Sequence, residues 1–370
     1  MALRPSLPCS KTATSPDTDQ AEEPDWSDLP PEILCLISRK IADISDFVRF
    51  RVVCKRWRSA VRASDLTPQL PWIYLNLDRF EGYLQFYSLL TGKTYTVNVL
   101  EKKSVIGPAY NYVLCYDIYK KCYLFNPLTK EELSLPSPPS EVLFPNCVPS
   151  GPSHPDQSSR FIVISTFVGS GSTPLYFCQP GNQKWTKIRG SASLFRDSIV
   201  PGEFKASGFT FYEGRCYATV HETGSTMVIE LATNTLIHVV PRPELYLSTF
   251  GPVHLVVSFG QILRVHQNGK NSFCIYQLAI GNRDEKQMEP CWIKIDNISN
   301  QFLFLHESHG CSFSTEDFPS FVGNSIYFFK GPSYGKRTFQ LFRYDIKERE
   351  IEVLPGPVNF GYYWFVPCLC

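Results

Sequence analysis

No uninterrupted apolar stretch among these 370 residues approaches the roughly 18 that a membrane-spanning helix needs, so a spanning segment is not expected. Net charge is nearly absent too, with 36 Lys and Arg against 35 Asp and Glu for +1 at pH 7. Without a strong field of one sign, bulk charge supports neither a nucleic-acid binder nor a protein held on an anionic membrane. Charged residues make up only 19% and hydrophobic residues 43%, which excludes a wholly disordered composition. Nucleophile elbow, phosphate-cradling Walker loop and GxGxxG are all missing, so the chemistries they serve have no footing here. Residues Met1 to Gln20 lack the apolar centre of a secretory signal and turn acidic at Asp17, Asp19, Glu22 and Glu23. The sequon Asn297-Ile298-Ser299 is therefore read as incidental.

Cysteine is not scarce, but its arrangement excludes a disulfide framework. Its number, 13, is odd, and the residues are scattered through helix- and strand-patterned segments instead of paired in loops. They are expected to be reduced thiols, used mostly as small hydrophobes, in the cytosol or nucleus.

What is present is aromatic and turn-rich: Phe 27, Tyr 19, Pro 29 and Gly 22 favour short strands joined by tight turns. The chain falls into three zones. Residues 1–24 form a polar tail, expected to be disordered. Residues 25–66 show helical periodicity, and residues 67–370 show strand patterning. The helical zone opens on Leu29-Pro30-Pro31-Glu32, with proline in the first turn and Glu32 facing the dipole. Ile33, Leu34, Ile37 and Ile41 then follow at helical spacing. Asp43, Ser45 and Asp46 are N-cap candidates for a second helix, along which Phe47, Phe50, Cys54, Trp57 and Val61 form one stripe. Arg51, Lys55, Arg58 and Arg62 form a second, basic stripe, read as a solvated face. Two amphipathic helices this short cannot bury both apolar faces by themselves, so a partner or the next domain is expected to cover one.

From Thr67 onward, runs of alternating apolar and aromatic residues are punctuated by turns such as Thr91-Gly92-Lys93, Asn126-Pro127-Leu128-Thr129 and Glu213-Gly214. Hairpin-length connections predict antiparallel sheets. Similar strand sets recur every roughly 40–50 residues, which predicts a β-propeller of about six or seven antiparallel blades. A pair of β-sandwiches is the competing architecture, disfavoured because no long linker divides the region. Closure of the ring would need the C-terminal strand to pair with an early one. Tyr363-Trp364-Phe365-Val366 and Trp72-Ile73-Tyr74-Leu75 are the expected partners. The fold class is thus mainly β with a small α module.

Leu29-Pro30-Pro31-Glu32-Ile33-Leu34 with Ile37-Ser38, followed by Phe47-Val48-Arg49-Phe50-Arg51-Val52-Val53-Cys54-Lys55-Arg56-Trp57-Arg58, resembles an F-box. Ala42 stands where the family often has proline, and the connection before the second helix is one residue longer. Downstream, Asn126-Pro127-Leu128-Thr129 with Leu135-Pro136, and the terminal Trp364-Phe365-Val366-Pro367, resemble the plant F-box proteins with a KIB-type propeller. The resemblance implies the substrate-recognition subunit of a Skp–cullin–F-box ubiquitin ligase, with no cofactor and no bond chemistry of its own. It implies a Skp-type adaptor and, through it, a cullin as partners, with an unnamed protein as substrate. By position in the motif, Leu29, Pro30, Ile33, Leu34, Ile37, Cys54 and Trp57 are the expected adaptor contacts, while Ile41, Phe50 and Val61 are assigned to the core.

Two other readings compete: a non-ligase propeller scaffold or inhibitor with a vestigial F-box, and a propeller enzyme with a polar cluster in its channel. His306, His309 and Cys311 lie close together but lack a second ligand pair, so they read as a plain loop and not as a metal site. Glu131-Glu132 and Glu316-Asp317 are adjacent on strand-like segments and point to opposite faces, which makes neither an acid–base dyad. Cys368 and Cys370 make neither a CxxC nor a prenylation box. Target-binding loops are expected on one propeller rim, with Pro136–Ser159 and Gly281–Pro290 as the long candidates.

Overall fold

The computed structural model describes residues 26–75, 82–99, 104–109, 111–116, 121–136, 145–149, 162–166, 176–179, 181–187, 206–220, 223–233, 235–243, 252–269, 272–280, 289–306, 309–330, 340–356 and 363–367. The tail expected over 1–24 lies outside them, as do Cys368 and Cys370. The chain divides into two compact units, Met1–Thr67 and Pro68–Cys370.

The first unit is helical, with α1 at Pro31–Ser38, α2 at Ile44–Arg51 and α3 at Lys55–Ala60. Two helices were expected, and the second is split in two. Val52 closes α2, and Cys54, at φ −155°, starts α3 in an extended conformation. Two consecutive β-branched residues, Val52 and Val53, weaken the helix where it breaks. Phe47, Phe50, Cys54, Trp57 and Val61 therefore do not share one helix face, and neither do Arg51, Lys55, Arg58 and Arg62. Arg51 instead donates through Nε to the Val61 carbonyl at 2.9 Å. α1 also stops three residues short of Ile41, which is half-buried beyond it.

The second unit is a propeller of antiparallel sheets. Strands β1 (Trp72–Tyr74), β2 (Tyr83–Ser88) and β3 (Thr94–Asn98) begin it. The next three sheets each pair four successive strands. The first holds β4 (Ser104–Ala109), β5 (Tyr112–Tyr116), β6 (Cys122–Phe125) and β7 (Glu132–Ser134). The second holds β8 (Pro145–Pro149), β9 (Ile162–Thr166), β10 (Tyr176–Cys178) and β11 (Thr186–Lys187). The third holds β12 (Ala206–Tyr212), β13 (Arg215–Val220), β14 (Thr226–Glu230) and β15 (Thr235–Val240). A nine-stranded sheet follows, made of β16 (Val253–Ser258), β17 (Gln261–Asn268), β18 (Ser272–Ala279), β19 (Cys291–Ile295), β20 (Gln301–His306), β21 (His309–Ser314), β22 (Ser325–Lys330), β23 (Gln340–Asp345) and β24 (Ile351–Val353). Last, β25 (Tyr363–Phe365) returns to β1.

The described strands thus form five blades, not six or seven. The shortfall arises in the nine-stranded sheet. There β16 meets β21 in parallel through Leu255 and His309, and β20 runs parallel to β22 over Phe302–Leu305, so two strand sets share one ladder. Gly310 permits the join. A Cβ there would come within 2.8 Å of Val256 and 2.7 Å of Leu305, inside the distance at which side chains pack. His306, His309 and Cys311, read from sequence as a loop, belong to the hairpin β20–β21.

The ring closes where the sequence placed it: Trp72, Ile73 and Tyr74 pair antiparallel with Phe365, Trp364 and Tyr363. Trp72 stacks on Tyr95 at 4.4 Å and packs beside Phe86 and Phe365. Trp364 sits 4.8 Å from Phe304 and 4.4 Å from Phe329, and its Nε1–H donates to the Leu305 carbonyl at 3.0 Å. Aromatic packing of this kind holds the closing strand through area and ring geometry together.

One turn recurs between the third and fourth strands of different blades, and it explains the degenerate sequence period. Asn126 Oδ1 accepts from the Leu128 and Thr129 amides, and Asp345 Oδ1 accepts from those of Lys347 and Glu348. Ser88 Oγ accepts from the Thr91 amide in the same role. The fifth residue of each turn, Gly92, Lys130 or Arg349, has positive φ and returns its amide to the first residue's carbonyl. A short polar side chain at position one and a left-handed residue at position five are what this geometry requires. The intervening residues are free to drift.

Candidate partner-binding site

The helical unit is built from its caps inward. Pro30, at ψ 142°, accepts through its carbonyl the amides of Ile33 and Leu34 and starts α1. Asp43 Oδ1 accepts from the Ser45 amide at 2.8 Å and its hydroxyl at 2.6 Å, which starts α2. The Cys54 sulfur accepts from the Trp57 amide at 3.5 Å and starts α3. α1 and α2 both pack on α3. The Cys35 thiol donates to the Ala60 carbonyl at 3.3 Å, tying the first helix to the end of the third.

This framework sorts the apolar residues into covered and uncovered sets. Leu34, Phe47 and Val61 have no exposed surface, and Ile44 is buried. Along α1 the inward positions are Leu34 and Ser38, one turn apart. Outward lie Ile33 at 42% exposed, Leu36 at 59% and Ile37 at 40%. Val48 on α2, then Val52 and Val53 in the break after it, are exposed as well. Exposed large aliphatic side chains this numerous on so small a unit are the kind of uncovered apolar area that marks an interaction site.

The seven residues expected at the adaptor contact separate into three groups. Pro30, Ile33 and Ile37 are exposed. Leu29, Cys54 and Trp57 are half-buried. Leu34 has no surface to offer, because it stands about 100° around α1 from Ile33, on the side that is covered. Trp57 is committed within the unit. Its ring lies 4.5 Å from that of Phe50, and its Nε1–H donates to the Trp26 carbonyl at 3.1 Å. Cys54 is committed as the cap of α3. Leu36, Val48, Val52 and Val53 were missed. Leu36 lies at i+3 from Ile33, a spacing visible in the sequence.

The loops expected to face a target lie outside the described residues except for Pro136, β8 and Glu289–Pro290. Among the described residues, no group of three His, Cys, Asp or Glu side chains is placed to hold a metal ion. No described helix is long and apolar enough to cross a membrane.

Comparisons with known proteins agree with this geometry. The family model described as KIB1-4 beta-propeller matches residues 86–355, and that described as F-box domain matches residues 26–69. The chain is 22% identical to the F-box protein At2g26160 of Arabidopsis thaliana, covering 83% of this chain and 96% of that protein. It is 27% identical to the F-box/kelch-repeat protein At1g57790 of the same plant, over 47% of this chain and 50% of that one. Among solved structures, TolB from Acinetobacter baumannii aligns with a TM-score of 0.44 at 13% identity, covering 81% of this chain and 67% of that one. A likeness that distant carries no inference about function.

Proposed function

The chain belongs to the KIB1-4 β-propeller family, as a plant F-box protein with a propeller domain, and from that premise we propose that it is the substrate-recognition subunit of a Skp–cullin–F-box ubiquitin ligase. The observation that carries the reading is the uncovered apolar surface of Ile33, Leu36, Ile37, Val48, Val52 and Val53. It lies within the residues that match the F-box. A Skp-type adaptor is the partner whose apolar surface would cover it, and the adaptor in turn would bring a cullin. The propeller, with six of its strands' worth of aromatic packing committed to closure, would then present a target protein on its loops. In this role the chain performs no bond chemistry. Its contribution is proximity, which raises the effective concentration of the target at the transfer machinery. The nine cysteines whose side chains are described are all free thiols, which supports a reducing compartment, the cytosol or the nucleus.

The test is co-purification of the full chain with a Skp-type adaptor. Leu36→Asp and Ile37→Asp place charges on exposed positions and should leave helicity and thermal stability unchanged. Each should weaken adaptor binding by tenfold or more, as expected for a charge forced into an apolar contact. A wild-type chain that never captures the adaptor, or variants that capture it as well as wild type, would overturn the reading.

A further inference from the structure

The basic stripe left over from the sequence has a neighbour of opposite sign. Between Phe50 and Ser64 the chain carries Arg51, Lys55, Arg56, Arg58 and Arg62 and no acid. Between Asp17 and Asp25 it carries Asp17, Asp19, Glu22, Glu23 and Asp25 and no base. The residues just after the second segment are held against α3. Trp26, the next residue, accepts through its carbonyl from Trp57 Nε1 on α3 at 3.1 Å. Two residues on, Asp28 pairs with Arg56 of α3 at 2.6 Å. The residues that follow the acidic segment, Trp26 and Asp28, are therefore held against the most basic helix of the unit.

On α3 and just beyond it, Lys55, Arg58 and Arg62 are exposed, and among the described residues no carboxylate forms an ion pair with Lys55 or Arg58. We propose that the acidic segment Asp17–Asp25 docks in cis on Lys55 and Arg58 of α3 and on Arg62 just past its end. Reach is sufficient: nine residues extend up to about 30 Å, whereas α3, from Lys55 to Ala60, is only about 9 Å long. Any single exposed ion pair is weak. Tethering the segment at Trp26 makes the encounter intramolecular, so several weak pairs act at high effective concentration. These cations would then be screened from acidic partners in trans, and the proposal stands whether or not the chain serves a ligase.

Lys55 provides the assay. Zero-length carbodiimide coupling joins a carboxylate to a nearby ammonium with loss of water, and the products are read by mass spectrometry. In the full chain at low salt, links from Asp17–Asp25 to Lys55 should exceed those to Lys40, an exposed lysine off α3, by fivefold or more. The excess should fall toward parity at 0.5 M NaCl, where the Debye length is about 4 Å. It should also fall in an Arg58→Glu, Arg62→Glu variant that retains Lys55. Parity between Lys55 and Lys40 in the wild type would overturn the proposal. So would an excess that neither salt nor charge reversal reduces. Mixing 15N-labelled and unlabelled chains adds a further outcome: links found only between chains would assign the segment to a second copy and overturn the docking in cis.

Discussion

The helical unit and the propeller use apolar residues in opposite ways. Of twelve large hydrophobic side chains that stand exposed among the described residues, seven lie between Trp26 and Val53, in the smaller unit by far. The propeller spends its own on closure: Trp72, Phe86, Phe304, Trp364 and Phe365 are all buried. A closed ring leaves its sheets few open edges and its core no need of a partner. Three short helices cannot do the same. They bury Leu34, Ile44, Phe47 and Val61 and leave a second apolar surface to be covered from outside. The difference teaches where affinity for a partner and where stability reside. It can be broken at the ring or sharpened at the helices.

The largest effect is expected at the closing strand. Trp364 touches Phe304 and Phe329 and donates to Leu305 while pairing with Ile73. Trp364→Ala removes the ring contacts and leaves a cavity, which should destabilise the propeller by about 3–5 kcal/mol. Denaturant unfolding would measure it, and a midpoint within error of wild type would show that closure is not what holds the ring. Gly310→Ala comes next. The added methyl meets Leu305 and Val256 side chains and the Phe304 carbonyl oxygen at 2.7–2.9 Å, and overpacking of this kind costs about 1–3 kcal/mol. Unfolding of this variant should begin at the join between β16 and β21, visible as faster hydrogen exchange in those strands before the rest.

Acid should loosen the same region from within. His266 on β17 is buried, and burial first, then the nearby Arg264 guanidinium, lower its pKa to about 4 from 6.5. The unfolded chain therefore takes up this proton before the folded one does. Stability from the neutral imidazole is complete above about pH 7 and is lost as pH falls through 6.5 toward 4, on the order of 3 kcal/mol in all. His266→Gln should flatten that part of the stability profile. An unchanged slope between pH 6.5 and 4 would place the acid sensitivity elsewhere. Arg264, beside it, is fully buried and bonded across to the preceding blade through the Gly224 carbonyl at 2.7 Å and Thr226 Oγ1 at 3.2 Å.

How far these features were legible differs between the two units for a physical reason. Strand alternation and turn residues are local, so the β class, the hairpins and even the pairing of residues 72–74 with 363–365 could be read from sequence. The parallel joins could not, because they depend on pairings distant in the chain. Gly310 lies among residues that read as a plain loop, His306, His309 and Cys311, whereas its lack of a side chain serves a close approach of strands. In the helical unit, periodicity found the helices and the capping aspartate. Position in the motif put Leu34 at the adaptor contact, although it is buried, and periodicity passed over Leu36, because a short helix that is apolar on two faces has no single stripe to detect. The split at Val52–Cys54 was hidden because cysteine is seldom the residue that caps a helix.

The smallest expected effect tests that cap and the comparison together. The Cys54 sulfur accepts from the Trp57 amide at 3.5 Å, and a thiol is a weak acceptor beside a hydroxyl. Cys54→Ser keeps the size and supplies a better cap, so it should stabilise the helical unit by about 0.5 kcal/mol. If Cys54 serves α3 as a cap, this variant binds a Skp-type adaptor as well as wild type while Cys54→Ala loses stability. If its side chain belongs to the contact instead, the serine variant loses affinity despite the better cap. Measuring both quantities on the same variant separates holding the helices in place from meeting a partner, the two tasks that the helical unit divides and the propeller does not.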